Sequence, residues 1–490
     1  MTILGSYATI KVSLVWRVYA MKKSVVRIES IEINNFKNVR YGCLNFENTR
    51  KPYNSSILGL YGQNGSGKTA LIDAISLLKL ALSGQPIPVT LADYINVDAE
   101  YATLKYEFKV LNNQCDGHYS VFYQFSLRKE VDESEQNTEQ INMPAVKYKA
   151  TLFDEVLSYS YECGDQKVKN LPIIDTRTED VFVPKTKYEA LIGKDKSVNT
   201  DLLVAKKLAF AASKSFIFSR ELLNVIRKKC QEEYHLFCLE SLVNFGNFEL
   251  FVINTSNSGL ISMNALPLAF KYEEGNKAAT GNLMIPLNDA FPIPQELVDV
   301  VKKVIHDMNV VLKQLVPGLT ISVKELGTSL NASNQMISRI QLMSLKNSKE
   351  IPLQYESEGI KKIISILHLL IVVYNKSSIT VAIDELDSGV FEYLLGELLR
   401  ILSEKGKGQL IFTSHNLRPL ETLDRGFVAF TTTNPSNRYI RLSNVKTNNN
   451  LRDFYYRDIV LGEQSEPVYE PTNNYEIALA FREAGEMSGT

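Results

Sequence analysis

The octet Gly62-Gln63-Asn64-Gly65-Ser66-Gly67-Lys68-Thr69 gathers three glycines, a lysine and a hydroxyl in one short stretch. Glycines let backbone N–H groups turn inward around an anion, and a helix starting directly afterwards adds partial positive charge. A lysine at the sixth residue after the first glycine reaches the β- and γ-phosphates of a nucleotide, and the next hydroxyl ligates Mg²⁺. Gly62, Asn64, Gly65, Ser66, Gly67, Lys68 and Thr69 are therefore the candidate phosphate-binding residues, with Lys68 also acting on the reacting phosphate.

Three further stretches carry compatible chemistry. In "ITVAIDELD" an apolar run ends in Asp384-Glu385. A buried strand can carry Asp384 to its tip to hold Mg²⁺, and Glu385 then sits where a general base polarises water. In "LQYESEGIKKIISILHLL", Ser357 and Gly359 precede a helical run. Read locally, Ser357 is either a plain N-cap or a phosphate ligand; its place just before the acidic strand favours the ligand. Since the chain already has one phosphate loop, this second element would serve the nucleotide of another copy. In "QLIFTSHNL", His415 follows a strand and could hydrogen-bond a terminal phosphate. The other histidines, His118, His235, His306 and His368, show no metal-ligand spacing.

These groups need elements to position them. Alternation over "VVRIESIEINNFKNVRYGCLNF" predicts two strands joined near Asn34–Asn38. "SILGLY" (56–61) reads as a buried strand, and 69–82 has apolar residues at helical spacing, so the glycine loop lies between strand and helix. Residues 101–165 look strand-rich, with an exposed polar loop at 129–140. From about Val198 helical patterns take over; Leu297, Val301, Val304, Met308, Val311 and Leu315 line one helix face. A helix at 360–373, strand at 379–383, helix at 390–404 and strand at 409–413 complete the order. The expectation is an α/β protein with mixed sheets: a leader (1–20) of little structure, a first half of the head (21–190), a mainly helical inserted domain (191–345), and a second half of the head (346–490).

Composition sets outer bounds. The chain has 490 residues, 45% hydrophobic and 22% charged, with a formal net charge of -1. That size allows two or three domains, and that charge gives no support to a strongly basic nucleic-acid binder, although a local basic patch is compatible with it. Five scattered cysteines (Cys43, Cys115, Cys163, Cys230, Cys238) form no CxxC pair, which argues against a disulfide framework and for a reducing, cytoplasmic compartment. Lys11 and Arg17 interrupt the apolar runs of the first twenty residues, so neither a signal peptide nor a membrane span is expected.

Taken together, the P-loop, "ESEG", the acidic strand, Asp387-Ser388-Gly389 and the strand-borne histidine resemble the ABC-type ATPase heads of the SMC, Rad50 and RecF group. Within that group the chain looks most like AAA15/OLD-like ATPases, many of which are subunits of bacterial anti-phage systems such as PARIS. The motifs behind this resemblance lie at about 21–100 and 346–430. The resemblance implies ATP and Mg²⁺ as ligands and a homo-oligomer built on ATP-bridged head dimers. It further implies a separate effector subunit, often a nuclease, and a phage protein as trigger. A RecF- or SMC-like ATPase that clamps DNA is the alternative. Two departures stand out. The signature reads Ser357-Glu358-Gly359 rather than Ser-Gly-Gly, and the glutamine of the family's Q-loop is not evident, with Gln85 the candidate. The stretch after His415 is short for an effector domain, so no nuclease activity of the chain's own is expected.

Overall fold

The structure, a computed structural model, describes residues 24–48, 55–112, 118–131, 148–163, 166–274, 277–330, 334–346, 349–443 and 450–487. The expected leader, 1–20, lies outside these residues, as does most of the polar loop at 129–140.

Alternating apolar residues form the first layer. β1 (Ser24–Phe36) and β2 (Val39–Asn45) make the expected hairpin, with Val26, Ile28, Ile31, Ile33, Val39 and Leu44 turned inward. β3 (Ser56–Tyr61) leads through the glycine loop into α1 (Lys68–Leu82). β4 (Tyr101–Asn112), β5 (His118–Val131), β6 (Tyr148–Cys163) and β7 (Gln166–Asp175) extend an antiparallel sheet in the order β2-β1-β4-β5-β6-β7. Helices α2 (Lys185–Ile192), α3 (Lys196–Ala211), α4 (Arg220–Lys229) and α5 (Glu233–Asn244) follow.

The chain then continues through β8 (Leu250–Ile253), α6 (Thr255–Ser262), β9 (Ala265–Glu274), β10 (Lys277–Pro286) and β11 (Phe291–Pro294). α7 (Gln295–Leu315), β12 (Leu319–Leu330), β13 (Met336–Lys346) and β14 (Lys349–Pro352) come next. α8 (Glu358–Asn375), β15 (Thr380–Ile383), α9 (Glu392–Lys405) and β16 (Gln409–Thr413) precede the closing elements. Those are α10 (Pro419–Thr422), β17 (Val428–Thr431), β18 (Tyr439–Ile440), α11 (Leu451–Leu461) and α12 (Asn474–Met487).

A second sheet has the order β18-β17-β3-β16-β15-β8, parallel throughout except for the β17–β18 pair. Its central strands are short, continuous apolar runs, as burial on both faces requires. The class is α/β with mixed sheets. Parallel pairing has one consequence for function: β3, β16, β15 and β8 all end at the same edge, where ligands of such sheets bind.

A buried glutamine helps to join the two sheets. The register between β1 and β4 shifts between Ile28 and Ser30. There Gln409 of β16 accepts from Ile28 N (3.1 Å) and donates to Ile28 O (2.8 Å). The amide thereby satisfies both backbone groups of Ile28 and ties β16 to the first sheet.

The expectation of a mainly helical insertion over 191–345 needs correction. Helices α3 to α5 pack into the same hydrophobic core as the first sheet. β8 is an edge strand of the parallel sheet, pairing with β15. Residues 265–346 contribute five strands around α7, and they share a second core with α8, α9 and β15. Helical periodicity identifies α7 correctly, and its Leu297, Val301, Val304 and Met308 are buried. β11, at four residues, is too short to show its period, but β9, β10, β12 and β13 run ten to twelve residues, and the helical reading passes over them.

One buried polar group in the first layer, a histidine, is held by several partners. His235 of α5 is fully buried; its Nδ1 accepts from Tyr159 Oη (2.8 Å), and its Nε2 lies 2.9 Å from Glu232 Oε2 and 3.2 Å from Lys187 Nζ. Burial, reinforced by Lys187, pushes its pKa down to about 4. The unfolded chain therefore binds the proton first as pH falls. This contribution to stability is complete above about pH 6.5 and is lost progressively towards pH 4, by up to about 3 kcal/mol. His235→Gln is expected to flatten the fall of the thermal midpoint between pH 6.5 and 4. An unchanged slope would show that other groups set it.

Candidate functional site

The glycine loop closes over the end of β3. Gly62 takes φ +152°, and a Cβ there would stand 1.7 Å from Thr431 Oγ1. No residue with a side chain fits at that point. Gly67 takes φ +93° as the N-cap of α1, and its carbonyl accepts from Tyr439 Oη at 2.9 Å. Ser66 Oγ donates to Gln63 O at 2.5 Å, and Asn38 Nδ2, from the β1–β2 turn, donates to Gly65 O. Asn64 and Gly65 form the exposed crest. Thr69 stands one residue into α1. Lys68 curls back over the loop: its Nζ donates to Gly62 O (2.8 Å) and Gln63 O (2.9 Å). Burial lowers its pKa, while Asp384, Glu385 and Asp387 pull the other way. The lysine and the three carboxylates thus share one electrostatic neighbourhood.

Asp384 follows β15 directly and is fully buried. Its backbone N donates to Ile253 O (2.8 Å), extending the ladder with β8. Its Oδ1 accepts from Thr413 Oγ1 (2.5 Å) and its Oδ2 from Thr255 Oγ1 (2.6 Å). Glu385 N donates to Thr413 Oγ1 (2.8 Å), and Glu385 itself takes a left-handed φ of +48°. A glutamate there is strained, and such strain gathers where geometry serves a site rather than the fold. His415 is exposed, on the turn after β16; its backbone N donates to Asp387 Oδ2 at 3.0 Å.

Ser357 is the N-cap of α8, accepting from Ile360 N at 3.4 Å. Gly359 lies against the loop after the acidic strand: a Cβ there would be 2.1 Å from Gly389 O. The signature helix is thus in backbone contact with the acidic loop. Gln85 sits beyond the far end of α1, a full helix length from the P-loop, and cannot serve as the missing amide ligand.

The structure adds residues that sequence reasoning missed. β8 ends beside β15, and Asn254 and Thr255 follow it at the acidic tip. Thr255 bonds Asp384, and Asn254 Oδ1 is buried with no partner among the described residues. The signal is present in "FVINT", an apolar run ending in polar residues like "TVAIDE", but four residues in a helical context do not declare a strand. Lys362, one turn into α8, is buried; desolvation lowers its pKa, and Glu385, Asp384 and Asp387 oppose that shift.

Among the described residues no group of three or more His, Cys, Asp or Glu side chains could hold a metal ion alone. A metal here would share its shell with phosphate oxygens and water, as Mg²⁺ does. Among the same residues no helix is long and apolar enough to cross a membrane.

A family model described as an AAA domain matches residues 30–211, which include the P-loop and end before the acidic strand. No curated protein matches the chain. Among solved structures the chain is similar to an SmcHead bound to the C-winged helix domain of ScpA, at 12% identity and a TM-score of 0.39, covering 85% of this chain and 98% of that one. It is similar to the SMC head domain from Thermotoga maritima at 14% identity and a TM-score of 0.36, covering 85% and 99%. It is also similar to the recombination mediator protein RecF-ATPrS at 13% identity and a TM-score of 0.34, covering 84% and 98%.

Proposed function

We propose that the chain binds ATP with Mg²⁺ at the carboxyl edge of its parallel sheet and hydrolyses it. The observation that carries this reading is the convergence of Lys68 with Asp384 and Glu385, brought from the two halves of the chain to one sheet edge. The glycine loop cradles phosphates through its backbone N–H groups. Lys68 exchanges its two carbonyl partners for the β- and γ-phosphates. Thr69, Asp384 and Asn254 Oδ1 would hold Mg²⁺, which when bound neutralises charge between the terminal phosphates. Glu385 takes the proton of the attacking water, and the His415 imidazole donates to the terminal phosphate.

Ser357, Gly359 and the N-terminus of α8 would serve the nucleotide of a second copy, making ATP a bridge between two heads. Two-fold assembly then gives two equivalent sites. Ser357→Arg is expected to keep nucleotide affinity within about threefold but to abolish ATP-dependent dimers, because a bulky cation fills the partner's phosphate position. Sedimentation with and without ATP checks this; dimers that persist would remove the signature from the site.

The finer proposal is that these heads form the sensor and scaffold of a cytoplasmic bacterial anti-phage system. ATP-assembled heads hold a separate effector, a nuclease in many such systems, until a phage protein releases it. The order of motifs supports this through its resemblance to AAA15/OLD-like subunits, and the net charge of -1 supports it over a DNA clamp. The test is a phage challenge of cells carrying this gene with its neighbour. Protection should require both genes and vanish with Lys68→Ala. Protection without the neighbour, or with Lys68→Ala, would contradict the proposal.

A further inference from the structure

The loop from Asp384 to Gly389 touches more than the metal and base positions. Asp387 Oδ2 accepts two backbone donors from the turn after β16, His415 N at 3.0 Å and Asn416 N at 2.9 Å. The same loop is held on both sides. Leu386 N donates to Thr413 O (3.0 Å), and Val390 N donates to Asp387 O (3.0 Å). Gly389, with φ +74°, closes on Gly359 of α8. One carboxylate therefore fixes the backbone that presents the histidine, from a loop whose other end rests on the signature helix.

We infer that Asp387 is the positioning residue for His415, setting where its imidazole stands relative to the nucleotide; this rests on the ATPase reading above. Two observations separate this from a plain structural anchor. Asp387 Oδ1 is buried without a partner among the described residues, an arrangement that a loop built for stability alone would avoid. And His415 is itself exposed, so among the described residues its backbone contacts, rather than enclosure of its ring, hold it in place. Asp387 also lies within the electrostatic neighbourhood of Lys68, two residues after the proposed base.

The experiment compares wild type, Asp387→Ala, Asp387→Asn, His415→Ala and the Asp387→Ala/His415→Ala double variant. Amide hydrogen exchange over 414–418, without nucleotide, reads the clamp directly. It should quicken about tenfold or more in Asp387→Ala and less in Asp387→Asn, whose side chain keeps an acceptor oxygen. ATP affinity should stay within about threefold of wild type, while turnover falls as far as in His415→Ala. The double variant should fall no further, because one residue acts through the other. Unchanged exchange overturns the assignment whatever turnover does. Losses that multiply in the double variant overturn it too, since Asp387 would then act independently. A wild-type chain that clears no ATP overturns the ATPase reading instead, and the exchange result still reports separately on the clamp.

Discussion

Lys68→Ala binds ATP at least about 100-fold more weakly than the wild-type chain, a loss of about 2.7 kcal/mol or more. The expectation follows from where the ammonium stands. Lys68 Nζ is held by two carbonyls of its own loop, Gly62 O and Gln63 O, at the mouth of the phosphate cradle. It is buried, which lowers its pKa, while the three carboxylates after β15, at the same sheet edge, favour its charge. Removing it takes away one of the cations between those carboxylates and the incoming phosphates. Repulsion is then added to the lost charge-assisted bonds. Titration calorimetry with Mg²⁺ and a slowly hydrolysed ATP analogue measures the loss, and circular dichroism confirms that the variant is folded. Wild-type affinity in a folded variant would place the nucleotide elsewhere.

Glu385→Gln is expected to bind ATP as the wild-type chain does and to turn it over about 10²- to 10⁴-fold more slowly. The amide preserves size and the bond from Glu385 N to Thr413, but it cannot take a proton from water. Because Glu385 already occupies a left-handed conformation, a substitution of like shape adds little new strain. The variant should accumulate with ATP bound. Phosphate release in single turnover, alongside analysis of the bound nucleotide, separates slow chemistry from weak binding. Full turnover would move the base to another carboxylate, with Asp387 the neighbour to examine.

Much of the candidate site is legible in the sequence because its chemistry is local. The P-loop declares itself in one octet, and its strand and helix run at Ser56–Tyr61 and Lys68–Leu82, matching apolar runs with clear periods. Asp384 and His415 are legible for a similar reason: each follows a short, fully buried strand. What stays hidden depends on pairing across the chain. Thr255 and Asp384 are 129 positions apart, and only the parallel register of β8 with β15 brings them together. Asn254 is no glutamine, so a search by residue type passes over it. Lys362 reads as one of two lysines on an amphipathic helix, whereas its turn of α8 faces the acidic loop. The role of Gln409, which pairs both backbone groups of Ile28, 381 positions away, cannot be seen without the fold. The expected helical insertion fails in the same way. Its helices are real, but α3 to α5 belong to the first core, and strands β9 to β13 tie the rest into the second.

The most direct test is the mass of the purified Glu385→Gln chain in solution, with and without ATP and Mg²⁺. Two heads that bury ATP between P-loop and signature should double the mass when ATP and Mg²⁺ are added, and chelating the metal should return it to the starting value. A mass that does not change with nucleotide, in a protein shown by calorimetry to have bound it, would contradict an ATP-bridged assembly.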